Sequence, residues 1–178
     1  MKRVLVIALA GWLVLAVLPS SAAEPTIGDP APRLDATELN GQTFDLTAER
    51  GKVVIVNFWA TWCGPCRVEM PALDTFYQAF RGQGLVLIGI SVDKWDDRTK
   101  VAALMRRYSY PAAMINEAQT NDFPRPHVIP TTYIIDREGV LRGIEHGATT
   151  KSLMETVLPL LRKKAPPPVP SGMSASLD

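Results

Sequence analysis

The chain is predicted to fold as an α/β domain, a mixed β-sheet with helices on both faces and an N-terminal β-hairpin. Three observations predict it. Two runs, 53–59 and 85–92, are apolar at nearly every position, as strands covered on both faces of a sheet are. A stretch with helical spacing lies between them. A turn-linked strand pair and a final amphipathic stretch follow, so helices and strands alternate around one sheet.

In chain order, Arg33–Glu38 and Gln42–Phe44 flank Asn40-Gly41, a dipeptide suited to the positive φ of a hairpin turn. Val53–Trp59 is the first buried strand. From Gly64 to Phe80, Val68, Ala72, Leu73, Phe76 and Phe80 recur at helical spacing. Pro65 suits the first turn, where N–H groups are unpaired anyway. Pro71 falls inside this helix and is expected to kink it, because it removes a backbone hydrogen bond. Leu85–Val92 is the second buried strand, Thr99–Tyr108 reads as a helix and Ala112–Ile115 as a short strand. Thr131–Asp136 and Val140–Ile144 form a hairpin around Arg137-Glu138-Gly139, and Lys151–Leu161 is a last helix capped by Thr149 or Thr150.

The ends of the chain have other compositions. Lys2 and Arg3, an apolar run over 4–18, then Pro19 and Ser21-Ala22-Ala23 make the three parts of an export signal, with cleavage expected after Ala23. The run is shorter than the ~20 residues that usually span a bilayer, although an uncleaved anchor is the alternative. Residues 165–178, opening Ala165-Pro166-Pro167-Pro168, have too little apolar surface to offset their ordering entropy and are expected to be a disordered tail. Residues 24–164 remain as one domain. Of 19 Lys and Arg, loss of Lys2 and Arg3 leaves 17 against 18 Asp and Glu, a net charge of −1. That balance excludes a nucleic-acid footprint, which needs a basic patch.

The only two cysteines are Cys63 and Cys66, at the end of the first buried strand and the start of the helix. Two thiols with two residues between them can form and break a disulfide. A bridge meant only to stabilise gains from the length of the loop it closes, and this loop is nearly the shortest possible. At a helix N-terminus the Cys63 thiol is expected to be lowered from its ordinary range, making it the nucleophile, with Cys66 one turn in and more buried as its resolving partner.

Asn57-Phe58-Trp59-Ala60-Thr61-Trp62-Cys63-Gly64-Pro65-Cys66-Arg67, then Glu69-Met70-Pro71, then Ile129-Pro130-Thr131-Thr132 and Ile135-Asp136, resemble the thioredoxin superfamily. Within it they are similar to the exported TlpA/ResA-like thiol–disulfide oxidoreductases, over residues from about 27 to 161. The resemblance implies a thioredoxin-like fold and makes Pro130 the cis-proline facing both sulfurs, with Ile129 offering its backbone to an extended substrate. Thioredoxins keep a buried acid on the preceding strand; Asn57 stands at that position here. The resemblance therefore implies Glu69 as the internal proton acceptor for Cys66. The alternative for Glu69 is a solvated carboxylate paired with Arg67 or another cation. Trp62, Gly64, Pro65, Ile129 and Thr131 are expected at the substrate surface, and Trp59 in the core.

The function implied is reduction of disulfides in exported proteins, with apocytochrome c thiols or copper-site proteins as substrates and a membrane electron donor restoring the dithiol. No cofactor, metal or nucleic acid is required, the expected location is periplasmic and the expected state monomeric. Gly64-Pro65 is the thioredoxin dipeptide, associated with a reducing couple. A disulfide oxidase or isomerase is the first alternative, since other residues also move the potential. A copper metallochaperone using Cys63, Cys66 and His127 is the second, disfavoured by the two-residue spacing. A peroxidatic Pro-x-x-x-Thr-x-x-Cys arrangement is absent, Thr61 standing one residue too close to Cys63.

Overall fold

The structure, a computed structural model, describes residues 24–148 and 150–162. The export segment, the C-terminal tail and the cap expected at Thr149 lie outside the described residues. β1 (Leu34–Glu38) and β2 (Thr43–Asp45) pair antiparallel through Asn40-Gly41, with Gly41 at a φ of 89° that L side chains rarely adopt. β3 (Val53–Trp59) leads to α1 (Gly64–Phe80) and β4 (Leu85–Ser91). α2 (Arg98–Met105), β5 (Ala112–Asn121), β6 (Thr131–Ile135), β7 (Leu141–His146) and α3 (Thr150–Arg162) follow. The strands make one seven-stranded sheet in the order β2-β1-β5-β4-β3-β6-β7. β3, β4 and β5 are parallel neighbours and every other pairing is antiparallel. The sheet is thioredoxin-like.

The β3 side chains divide between two cores. Val53, Ile55 and Trp59 meet Cys66, Met70, Leu73 and Phe76 of α1, Val101 and Met105 of α2, and Leu153 and Val157 of α3. Val54, Val56 and Phe58 join Ile88, Ile90, Tyr133 and Phe123 in a second core, to which no described α-helix contributes a buried residue. Here the structure corrects the sequence reading of helices on both faces: the three described α-helices pack on one, and the other receives only Leu46 of the short 3-10 helix Leu46–Glu49. The steps β3→α1→β4 and β4→α2→β5 cross the sheet in the same direction, and right-handed crossovers then place both helices on the same side. No helix forms in the connection to β6, where Pro124, Pro126 and Pro130 interrupt the chain.

Two further details differ, in the length of β5 and in the buried stripe of α1. β5 runs to Asn121 instead of ending at Ile115, because β1 supplies an antiparallel partner for its polar half. α1 is assigned as one element through Pro71, with the Thr75 hydroxyl donating to the Pro71 carbonyl at 2.9 Å. Its buried stripe is Cys66, Glu69, Met70, Leu73 and Phe76, whereas Val68 is 78% exposed. The Arg137 guanidinium, in the β6–β7 turn, donates to the carbonyls of Gly51, Gln83 and Leu161 and so ties the base of β3 to the end of α3.

Candidate functional site

At the C-terminal end of β3 the chain turns through Ala60–Cys63 into α1. Asp93, just beyond β4, holds this turn. Its buried carboxylate accepts from the Thr61 N–H at 2.8 Å, the Thr61 hydroxyl at 2.7 Å and the Ser91 hydroxyl at 2.7 Å. Thr61 is thus engaged with Asp93. The sequence reading gave Asp93 no role, since nothing local distinguishes it from a loop carboxylate.

Cys63 is the N-cap of α1, and its sulfur accepts from the Cys66 N–H at 3.2 Å. The two cysteines form a disulfide with a Cα–Cα distance of 5.3 Å. Cys66 is fully enclosed, while Cys63 is 5% exposed. The expected asymmetry is present, but Cys63 is less open than a helix start suggests. Part of its cover is the Ile129 carbonyl oxygen, 3.7 Å from its Sγ. The Ile129–Pro130 bond is cis and Pro130 is buried, so the segment before β6 lies directly against the nucleophile candidate.

The remaining expected residues fall into two groups. Trp62 is 70% exposed, and Gly64 and Pro65 are exposed on the first turn of α1. Thr131, expected at the substrate surface, is buried. Its hydroxyl donates to the Val128 carbonyl at 2.7 Å and lies 3.1 Å from Nδ1 of His146. It supports the loop that carries Ile129 instead of meeting a partner. Because that hydroxyl proton goes to a carbonyl, Nδ1 of His146 must be the donor to its oxygen. His127 is exposed beside a recess of about 340 Å³ whose lining includes Arg125, Val128 and His146. Among the described residues no group of three or more His, Cys, Asp or Glu is arranged to hold a metal ion.

Glu69 lies one turn beyond Cys66 on the enclosed face of α1 and is 5% exposed. The solvated pairing with Arg67 does not occur. Its Oε1 accepts from Nδ2 of Asn57 at 3.0 Å, and the same Nδ2 donates to the Thr132 hydroxyl at 2.8 Å. Burial pushes the carboxyl up to about 7, against a smaller opposing effect of the Asn57 hydrogen bond. Asn57 and Thr132 face each other across the antiparallel β3–β6 pair, which is what brings them to one carboxyl. Thr132 was legible only as part of a motif; its role comes from this register.

A helix start that caps itself with one cysteine, with the second enclosed behind it and a cis-proline loop pressed against the first, is built for two-electron exchange between dithiols and disulfides. Fold and site together define a thiol–disulfide oxidoreductase. Comparison with known proteins agrees. Residues 27–144 match the AhpC/TSA family. The thiol-disulfide oxidoreductase ResA of Geobacillus thermodenitrificans is 30% identical over 149 residues, 83% of this chain and 84% of that protein. ResA of Bacillus subtilis is 29% identical over 76% of this chain and 75% of its own. A thiol:disulfide interchange protein of the thioredoxin family from Chlorobium tepidum superposes with a TM-score of 0.62 at 27% identity, covering 76% of this chain and 98% of that one. The chain belongs to the AhpC/TSA family and is a ResA-like thiol–disulfide oxidoreductase.

Proposed function

We propose that this protein reduces disulfides in exported proteins, with Cys63 attacking and Cys66 resolving. The observation that carries the proposal is the buried Glu69 carboxyl one turn behind a fully enclosed Cys66. Resolution of the mixed disulfide requires a proton to leave Cys66 inside a closed core, where Glu69 is placed to take it, and Gly64-Pro65 between the cysteines supports the reducing direction. In the first step the Cys63 thiolate, favoured by the N-terminus of α1, attacks a substrate disulfide. A Cys63–substrate mixed disulfide forms, and one substrate thiolate leaves and is protonated by solvent. The Cys66 thiol then gives its proton to Glu69, and its thiolate attacks Sγ of Cys63. The Cys63–Cys66 disulfide seen here forms, the second substrate thiolate leaves and takes up a proton, and two electrons have passed to the substrate.

A protein substrate fits the surface around the disulfide. Trp62, Val68, Trp95 and Val128, each at least 55% exposed, come from four segments near the C-terminal ends of β3 and β4 and the loop before β6. Exposed apolar groups gathered around a reactive centre mark a docking face. Ile129 and Pro130 give an extended substrate a backbone edge beside Cys63. The basic start, apolar run and small residues before Glu24 support export, and hence periplasmic substrates of the apocytochrome c or copper-site type. In an oxidising compartment the dithiol then needs a membrane electron donor. Equilibration in a thiol redox buffer tests the direction: a reductase is expected well below about −180 mV, and a value near about −120 mV, that of a strong oxidant, would overturn it.

A further inference from the structure

One amide atom of Asn57 meets two oxygens, Oε1 of Glu69 at 3.0 Å and Oγ1 of Thr132 at 2.8 Å, while Oδ1 of the same amide is buried with no hydrogen-bond partner. A carboxyl that gains and loses a proton needs a partner in both states: ionised it only accepts, and protonated on one oxygen it still accepts at the other. When Glu69 is ionised it can only accept, and the NH₂ end of Asn57 serves both it and Thr132. When Glu69 is protonated it offers an O–H. With that proton on Oε2, Oε1 goes on accepting from Nδ2 of Asn57, so one amide orientation serves both states and Thr132 holds it there. An aspartate here would compete for the proton, and an apolar residue could satisfy neither state.

We propose that Asn57 is a positioning residue of the exchange reaction: its Nδ2–H group, steadied by Thr132, holds the Glu69 carboxyl in both protonation states. It thereby keeps the carboxyl hydrogen-bonded before and after it takes the Cys66 proton. The inference rests on the reading of Glu69 as that acceptor. Against the larger influence of burial, Asn57 supplies the opposing hydrogen bond. On α1 the titratable neighbour is Cys66. The loop before β5 supplies Tyr110, whose phenol is pushed up first by burial, then by Tyr108 and Asp74, with the Glu69 charge adding least. β3 and β6 supply uncharged Asn57 and Thr132, and the buried residues of α3 are Leu153 and Val157. Burial and the Asn57 hydrogen bond are the two influences on Glu69 itself.

The test pairs NMR titration with a pH–rate profile for reduction of a model protein disulfide. In the wild type, the Asn57 side-chain amide resonances are expected to move with the Glu69 carboxyl carbon at one midpoint near 7. In Asn57→Leu the bond to ionised Glu69, about twice as strong as a neutral one, is lost, so the midpoint should rise by about one pH unit. The acidic limb of the rate profile should move with it, slowing resolution about five-fold at pH 7 by the smaller ionised fraction. Thr132→Val should shift the same limb in the same direction by less. Asn57 resonances that ignore the Glu69 titration, or a midpoint unmoved in Asn57→Leu, would overturn the inference, and the wild-type titration decides even if that variant does not fold. Glu69→Gln separates the two ideas. If it keeps the wild-type profile, the acceptor reading itself fails. If it loses the limb while Asn57→Leu and Thr132→Val leave it in place, only the role of Asn57 fails.

Discussion

Replacing Glu69 with Gln should make the oxidised protein less sensitive to alkali. Glu69 is raised from its ordinary 4.5 to about 7 by burial, so the folded state holds its proton more tightly than the unfolded chain does. As pH rises from 4.5 the unfolded state releases that proton first, and stability falls until the folded carboxyl has also ionised. The loss therefore opens near pH 4.5, grows to about 7 and then levels off. At about 1.4 kcal/mol per unit, the full penalty is about 3 kcal/mol, and about 2–3 kcal/mol allowing for residual solvation. Urea unfolding of wild type and Glu69→Gln at pH 4.5 and pH 8 isolates this quantity, because pH-independent effects of the substitution and all other titrations cancel in the double difference. The variant should gain about 2–3 kcal/mol relative to wild type between the two pH values. A double difference within about 0.5 kcal/mol of zero, below what any single linked proton of this size could give, would refute the buried, proton-holding Glu69.

Two other substitutions probe the surface and the packing. Trp62→Ala should lower kcat/KM for a protein disulfide about ten-fold or more, the weight of one buried aromatic contact, while leaving exchange with a small dithiol unchanged; equal loss for both would place Trp62 in the chemistry instead. Gly89→Ala would set a Cβ 2.8 Å from Nε1 of Trp59 and 3.4 Å from Cε2 of Tyr110, both buried. It should cost about 1–3 kcal/mol in chemical unfolding, and a neutral result would mean that the Trp59 ring is free to move.

Much of the fold was legible because single-sequence signals coincide with what packing demands. β3 is apolar on both faces because both cores use it. The helix from Gly64 to Phe80 and the strand from Leu85 carry their own periodicity. What escaped depends on partners remote in sequence. The polar end of β5 has low strand propensity and is held by β1, some 80 residues earlier. The face chosen by the helices follows from strand order, which no local window contains. Val68 and Glu69 show the limit most sharply: hydrophobicity assigns Val68 to the core, yet the stripe set by Cys66, Met70 and Leu73 turns Val68 outward and encloses Glu69. An apolar residue beside the disulfide faces solvent, and a carboxyl is buried beneath it. That inversion of the usual pattern is itself the mark of a site. The burial of Thr131 and the hold of Asp93 on the turn were illegible for a related reason, since a hydroxyl or carboxylate shows its use only through its hydrogen bonds.

The central claim is that Cys63 attacks and Cys66 resolves, and covalent trapping tests it most directly. Reduced Cys66→Ser and Cys63→Ser variants are mixed with a disulfide-bonded protein substrate, and the adducts are resolved without reductant and mapped by mass spectrometry. The account expects Cys66→Ser to accumulate a stable mixed disulfide on Cys63 and Cys63→Ser to accumulate none, its remaining thiol being enclosed in the core. Trapping on Cys66 in the Cys63→Ser variant, with none on Cys63 in the other, would contradict it.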